Sequence, residues 1–341
     1  MKKRTRLFLV VAVGVLVVGL GTGLVASYVG QNYTLIGGNG PEALAYIPAD
    51  AQMVAFADMR DLVNSEVRQK LRQFEPSADT RNQLEKNTGI DVERDVDEIL
   101  VAAVTEPSTA LKGPPLVLAR GRFDDDRIET MIREHGGTVE DYKGVQLMVI
   151  PDGEKVAVAF VEPGLVAAGQ VAAVKRAIDT KKAGTGAITD NVAVMKMIKD
   201  VDDGNTWAVA KFNALSAGPL PKEIAQQLPP ISWLSASGHI DSGIRGVIRI
   251  EAQDEKSATD FREVVRGFMA LARLQAGQKP EFADLVNSLE LGGQGTTVSL
   301  GFSVPSTVID QIGHIVAERR RPAPDAQGVP RQQPQTAVPS L

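Results

Sequence analysis

The chain has 341 residues, a net charge of −5, 43% apolar and 23% charged side chains, and no cysteine. That balance is too apolar for disorder and is ordinary for one large globular domain or two small ones. An acidic body argues against nucleic acid as a partner and is expected to be repelled by an anionic membrane surface, and without cysteine there is no disulfide, thiolate metal site or lipid-modified cysteine.

The charge is unevenly placed. Lys2, Lys3, Arg4 and Arg6 open the chain, and no charged side chain follows until Glu42. From Leu7 to Tyr28 the residues are Leu, Val, Ala, Gly and Phe, with Thr22 and Ser27 as the only hydroxyls before the tyrosine. About 20 such residues at a rise of about 1.5 Å cross a hydrocarbon core of about 30 Å, and a helix satisfies its own backbone there. The pattern predicts a cytoplasmic basic end over 1–6 and a transmembrane anchor over 7–29. Basic residues stay on the cytoplasmic side, so the chain is expected to pass the cell membrane once, with its body extracytoplasmic. A cleaved signal peptide is the alternative, with Val25-Ala26-Ser27 as small residues for a peptidase. The apolar run is longer than the usual signal core of about 7–15 residues.

Gly19, Gly23 and Ser27 recur at four-residue spacing. Small residues on one face let two membrane helices approach closely, which makes a homodimer through this helix one reading. The other is that glycine is common in membrane helices.

A polar, glycine-rich linker is expected over 30–40, a first α+β unit over 41–200, a second over 201–318, and a disordered tail over 319–341. In the first unit, Ala51 to Ala57 reads as a strand. Arg60 to Phe74 reads as a helix, with Val63, Val67, Leu71 and Phe74 at helical spacing. Ile99 to Val104 and Leu116 to Arg120 are short apolar runs between turn residues, hence strands. Asp124 to His135 is a helix capped by Asp124 and Asp125 and ended by Gly136-Gly137. Val139 to Tyr142, Val145 to Ile150 and Lys155 to Val161 form a meander, and Gln170 to Lys181 is a helix.

In the second unit, Trp207 to Phe212 is a strand. Ile244 to Ala252 alternates, with Ile244, Ile248 and Ile250 facing one way and Arg245, Arg249 and Glu251 the other. Val298, Leu300, Phe302 and Val304 alternate with Ser299, Gly301 and Ser303. Such alternation belongs to antiparallel strands with one face in the core. Long helices are expected over Glu255 to Ala276 and Pro305 to Glu318. G-R-F-D-D-D-R-I-E-T-M parallels R-I-E-A-Q-D-E-K-S-A-T, and A-F-V-E-P-G-L-V parallels G-F-S-V-P-S-T-V. The expectation is therefore an α+β fold of two related units of antiparallel sheet with helices packed on one face.

Pro48-Ala49-Asp50-Ala51, the strand after it, Arg60-Asp61-Leu62 and the turn Tyr142-Lys143-Gly144 carry a resemblance. With the N-terminal anchor, they resemble uncharacterised bacterial membrane-anchored envelope proteins. The resemblance covers most of 41–318 and implies an envelope location, with no activity or site residues.

No catalytic constellation stands out. His135, His239 and His314 are far apart in sequence and are read as structural. Asp124-Asp125-Asp126 reads as a helix cap, because no calcium-loop spacing follows it. Asp202-Asp203-Gly204-Asn205 reads as a turn. Gly292-Gly293-Gln294-Gly295 leads into a strand, so it is a hairpin turn and not a phosphate loop. No catalytic residue, cofactor or metal ligand is assigned. The partners expected are the membrane, through the anchor, and an envelope protein or lipid. The functional reading is a non-catalytic structural or protein-interaction role. The alternatives are a carrier or sensor of an apolar ligand such as a lipid, and, remotely, a hydrolase using carboxylates.

The tail combines Arg319-Arg320-Arg321 with a proline- and glutamine-rich stretch too poor in apolar residues to offset the entropy of ordering. Truncation after Glu318 is expected to leave the melting temperature followed by circular dichroism nearly unchanged. A large drop would show that the tail packs on the body.

Overall fold

The computed structural model describes residues 42–72, 90–104, 115–134, 136–150, 156–202, 204–212, 229–277 and 283–309. The expected anchor, linker and tail lie outside them, as do Phe74 and the expected last helix beyond residue 309.

A 3-10 turn, Glu42–Tyr46, leads into strand β1 (Met53–Asp58). Asp58 ends that strand and starts helix α1 (Met59–Asn64), its carboxylate accepting from the N–H groups of Arg60 at 2.8 Å and Asp61 at 3.1 Å. The single helix expected from Arg60 onward is two, α1 and α2 (Glu66–Arg72). Ser65 breaks it with an extended backbone, and its hydroxyl donates to the Leu62 carbonyl at 2.7 Å. Serine competes with helix geometry in this way, and helical periodicity alone does not register the break. Beyond the break, Arg68 is buried and pairs with Glu93 of α3 (Val92–Asp95).

Strands β2 (Val96–Ala103) and β3 (Leu116–Gly121) and helix α4 (Asp125–Glu134) follow. Then come β4 (Thr138–Tyr142), β5 (Val145–Ile150), β6 (Val156–Glu162), β7 (Leu165–Gln170) and helix α5 (Val171–Ala183). A 3-10 turn, Ile188–Asp190, and α6 (Val192–Lys199) precede β8 (Thr206–Lys211), β9 (Ile231–Ile240) and β10 (Ile244–Ala252). The described chain closes with α7 (Glu255–Ala276), α8 (Ala283–Asn287), β11 (Glu290–Gly292), β12 (Thr297–Val304) and a helical turn at 306–309.

Among the described residues all twelve strands belong to one antiparallel sheet, in the order β11-β12-β10-β9-β8-β1-β2-β3-β7-β6-β5-β4. Residues opposite each other in a ladder share a face, so the register assigns every side chain to one side. On the back face, Val54, Phe56, Leu100, Leu118, Trp207 and Val209 form one core with Val174, Ala177 and Ile178 of α5 and Val194 and Ile198 of α6. On the front face, Ala55, Ala57, Ile99, Val101, Ile248 and Phe302 pack with Met59 and Leu62 of α1 and Val67 of α2. Ile128 and Ile132 of α4 lie on Met148, and Phe261 of α7 packs with Ile250 and Val298, also on the front. Helices thus cover both faces, which corrects the expectation of one. The physical reason is visible in β1 and β2: central strands buried on both sides are continuously apolar instead of alternating.

Outward from the β1–β8 pair the order is matched. One side runs β1-β2-β3 and then β7, and the other runs β8-β9-β10 and then β12. After β3 and after β10 the chain leaves the sheet through a front-face helix begun by an aspartate. Asp124 accepts from Arg127 N at 3.0 Å, and Asp254 from Ser257 N at 2.7 Å. The first pair of similar segments falls on this equivalent step. The second pair does not: A-F-V-E-P-G-L-V is the β6–β7 hairpin, whereas G-F-S-V-P-S-T-V leads from β12 into a helix.

Gly238, Gly246 and Phe302 face one another across β9, β10 and β12. A Cβ on Gly246 would meet the Phe302 ring at 2.6 Å and the Ser237 carbonyl at 2.6 Å, so glycine makes the slot that the ring fills. Phe302 is buried, while Ile250, Arg249 and Ser303 are each half-buried. The face assignments hold, but the contrast expected between Ile250 and Arg249 is weaker. The sheet ends are protected. β11 has only 3 residues, and β4 carries Glu140 and Asp141, both common ways of discouraging edge-to-edge pairing.

Phe56 is 1% exposed, with its ring centroid 5.3 Å from that of Trp207. Phe56→Ala is expected to lower the unfolding free energy by about 3–5 kcal/mol in urea titration. A loss below about 1 kcal/mol would place the ring outside a packed core.

Candidate functional site

A set of polar side chains converges on both flanks of α5 on the back face. That helix buries Ala173, Val174, Ala177 and Ile178 and ends at Gly184, whose φ of 67° is a left-handed cap. Its charged residues reach sideways to the strands and turns around it. Lys175 pairs with Glu140 at 2.7 Å, Arg176 with Asp50 at 2.7 Å, Lys181 with Glu162 at 2.9 Å, and Asp179 with Lys143 at 2.5 Å.

Two tyrosines complete the arrangement. Tyr46 donates its hydroxyl to Glu162 at 2.9 Å, and Tyr142 donates to Asp179 at 2.9 Å. The Lys181 ammonium lies 4.9 Å from the centre of the Tyr46 ring, and that of Lys175 lies 4.9 Å from the centre of the Tyr142 ring. The Lys181 ammonium, with help from the Tyr46 hydroxyl, holds the Glu162 carboxyl below the usual range. Lys143 and then Tyr142 do the same for Asp179. Burial and the adjacent Glu162 push the Tyr46 phenol far up, so it remains a protonated donor.

A second polar row crosses the same face. Asp58 on β1 stands opposite Glu98 on β2, and Glu98 stands opposite Arg120 on β3. Arg120 also reaches Glu42 at 3.6 Å. Burial raises the pKa of Asp58 despite the cap hydrogen bonds that pull it down. Burial likewise raises that of Glu98, against the pull of Arg120. A carboxylate hydrolase needs two acids whose pKa values are driven apart. Here both move up, and Asp58 is engaged by the start of α1.

The residues expected to act in the membrane, Gly19, Gly23 and Ser27, and the topology residues Lys2, Lys3, Arg4 and Arg6, lie outside the described residues, as do His135 and His314. His239 is exposed on β9, opposite Arg245. Asn205 clamps β9, donating to the Ile240 carbonyl at 2.9 Å and accepting from Ile240 N at 2.9 Å. The glycines from 292 to 295 form the β11–β12 hairpin, with Gly293 at φ 93° and Gly295 at φ 56°. Among the described residues, no three His, Asp or Glu side chains gather as a metal site. Sequence reasoning passed over Tyr46, Tyr142, Glu162 and Asp179. The chain has only 4 tyrosines, and two of them meeting carboxylates is a tertiary fact with no local signature.

The fold and these braces define a mixed α+β protein built on antiparallel sheet. The chain belongs to the family described as "Protein of unknown function (DUF3352)", whose model matches residues 9–259. That match begins within the apolar run and ends in the first turns of α7. No curated protein matches the chain. Among solved structures it is similar to crystal form I of TP0453, at 8% identity and a TM-score of 0.43, covering 82% of this chain and 98% of that one.

The opposite pKa directions give opposite pH effects. Glu162 and Asp179 are depressed in the folded state, so their stabilisation is present at neutral pH and is lost as pH falls through their folded values. Asp179→Asn is expected to destabilise at pH 7, with the deficit shrinking as the solution is acidified. Glu98 is raised, so its ionisation opposes folding above its ordinary value of 4.5. Glu98→Gln is expected to stabilise at neutral pH, and the gain should vanish below about pH 4. Urea midpoints across pH check both; a Glu98→Gln midpoint unchanged at pH 7 would contradict the second.

Proposed function

We propose that this chain is a single-pass membrane-anchored extracytoplasmic protein whose body has a non-catalytic, partner-binding or structural role. The carrying observation is the basic start followed by an uncharged stretch from Leu7 to Pro41. Among the described residues, no helix is long and apolar enough to cross a membrane, and the apolar run itself lies outside them. Its N-terminus is cytoplasmic, and the linker over 30–40 holds the body a short way from the bilayer.

Two features support binding over catalysis. The convergent charged groups around α5 are neutralised by one another. In addition, β9, β10 and β12 present a polar side in which His239, Arg245 and Ser303 form one cross-strand row, while α7 and α8 pack on the other side. We read 41–200 and 201–318 as two related units, joined through β1 and β8. The matched strand order and the shared aspartate-capped helix step support that reading.

Proteinase added to spheroplasts is expected to digest the body and spare only the short cytoplasmic end. A body protected until lysis would overturn the orientation. A mature chain beginning at Tyr28 by intact mass would overturn the anchor. Photo-crosslinkers at Arg245 and Ser303 are expected to form protein adducts in intact membranes; a probe that reacts only with water there would remove this row as the binding surface.

A further inference from the structure

Helix α7 changes character along its length. Its first part carries Glu255, Lys256, Asp260, Arg262 and Glu263 and packs on the sheet through Ala258 and Phe261. From Val264 to Gly277 the only charged residues are Arg266 and Arg273, in a chain whose net charge is −5. Met269 and Ala276 are buried, but a neighbouring stripe is not. Val264 is 38% exposed, Phe268 41%, Leu271 49% and Leu274 72%. These are four of the five large apolar side chains exposed among the described residues, and three of them follow i, i+4, i+7 spacing.

We propose that this second half of α7 docks on the surface of an anionic lipid bilayer, with Phe268, Leu271 and Leu274 entering the headgroup–acyl boundary and the arginines meeting lipid phosphates. A helix with phenylalanine and leucine on one face and only basic charge on the rest has the composition of an interfacial helix. Charge complementarity within this stripe, set against the acidic balance of the body as a whole, selects the occupant. Arg266 has Glu263 as a neighbour, whereas Arg273 has no ion-pair partner among the described residues. A second copy of the chain would bring the same arginines to the contact. Anionic lipid brings the opposite charge.

The inference rests on the proposed anchor only for bringing a bilayer within reach, and the reach is sufficient. The 12 residues from 30 to 41 span at most about 43 Å when extended. From β3, where Arg120 meets Glu42 on the back face, to β10 the sheet crosses five strand spacings of about 4.8 Å, or about 24 Å, and the helix layer on the front lies about 10 Å further. The body can therefore lie down on the membrane that anchors it.

The absence of cysteine makes the test direct. The full chain carrying Leu271→Cys, labelled with an environment-sensitive nitrobenzoxadiazole, is reconstituted into phosphatidylcholine vesicles with and without phosphatidylglycerol. A label at Thr259→Cys, exposed on the first half of the same helix, serves as the control. At Leu271 the label is expected to shift to the blue and be quenched by acyl-chain nitroxides in the anionic vesicles. Quenching should be several-fold weaker in neutral vesicles or with Arg266→Gln and Arg273→Gln together, and absent at Thr259. A label that stays in water on floated anionic vesicles overturns the inference. So does shielding that appears equally in neutral vesicles or detergent and grows with protein concentration, which would mean a second copy. Resistance to an alkaline carbonate wash reads the anchor separately. Release by carbonate of a chain whose Leu271 label was quenched beforehand removes the anchor and leaves the docking helix standing.

Discussion

β1 pairs with β2 from Met53 to Asp58 and with β8 from Met53 to Ala57, and its two faces feed separate cores. Ladder bonds on both edges satisfy its backbone, which lets apolar side chains leave water on both sides without stranding a polar group. Val54 and Phe56 give α5 and α6 something to cover, and Ala55 and Ala57 do the same for α1. The difference in size between those two sets matters. Large residues on the back make a deep core around the Phe56–Trp207 contact, while alanines on the front let α1 and the turn at 306–309 come close. The same ladder joins the strands before residue 200 to those after it, so both halves depend on one pairing.

Away from that centre, stability is handled by a different interaction. The outer strands β4 to β6 are narrower in their burial, and α5 is held to them by lysines, carboxylates and two tyrosines. Each ion pair is partly exposed and individually weak. Their geometry still gives direction: Tyr46 and Tyr142 act on opposite flanks of one helix, each donating to a carboxylate that a lysine also holds. This arrangement braces a helix. It does not expose an unbalanced group to a substrate.

Surface chemistry divides the body along the sheet. On the back of β9, β10 and β12 His239 and Arg245 are exposed and Ser303 is half-buried, while Ser235 and Ser237 are buried; the second half of α7 shows water an apolar stripe beside basic charge. In the proposed reading one surface meets a protein partner and the other a lipid headgroup layer. A body tethered and docked as proposed would have a defined way up at the membrane, since docking α7 would limit which surfaces remain free to meet partners.

Periodicity alone was enough for elements whose two sides differ. Helix α7 runs from Glu255 to Ala276 as its apolar spacing indicates, and β10 and β12 alternate as their sequences do. The aspartate cap at 124 and the glycine hairpin at 292–295 were legible for the same reason: they are local, set by hydrogen bonds within a few residues. β7 and β9 were not. Leu165–Gln170 is apolar throughout with a glycine, and Ile231–Ile240 buries Ser235 and Ser237, so neither shows the contrast that marks a strand. The covering of both sheet faces, the meeting of Tyr46 with Glu162 and of Tyr142 with Asp179, and the alignment of Asp58, Glu98 and Arg120 were decided only by tertiary structure. Those contacts join residues tens of positions apart or more, and their energies arise from burial and mutual neutralisation that exist only once the sheet has formed.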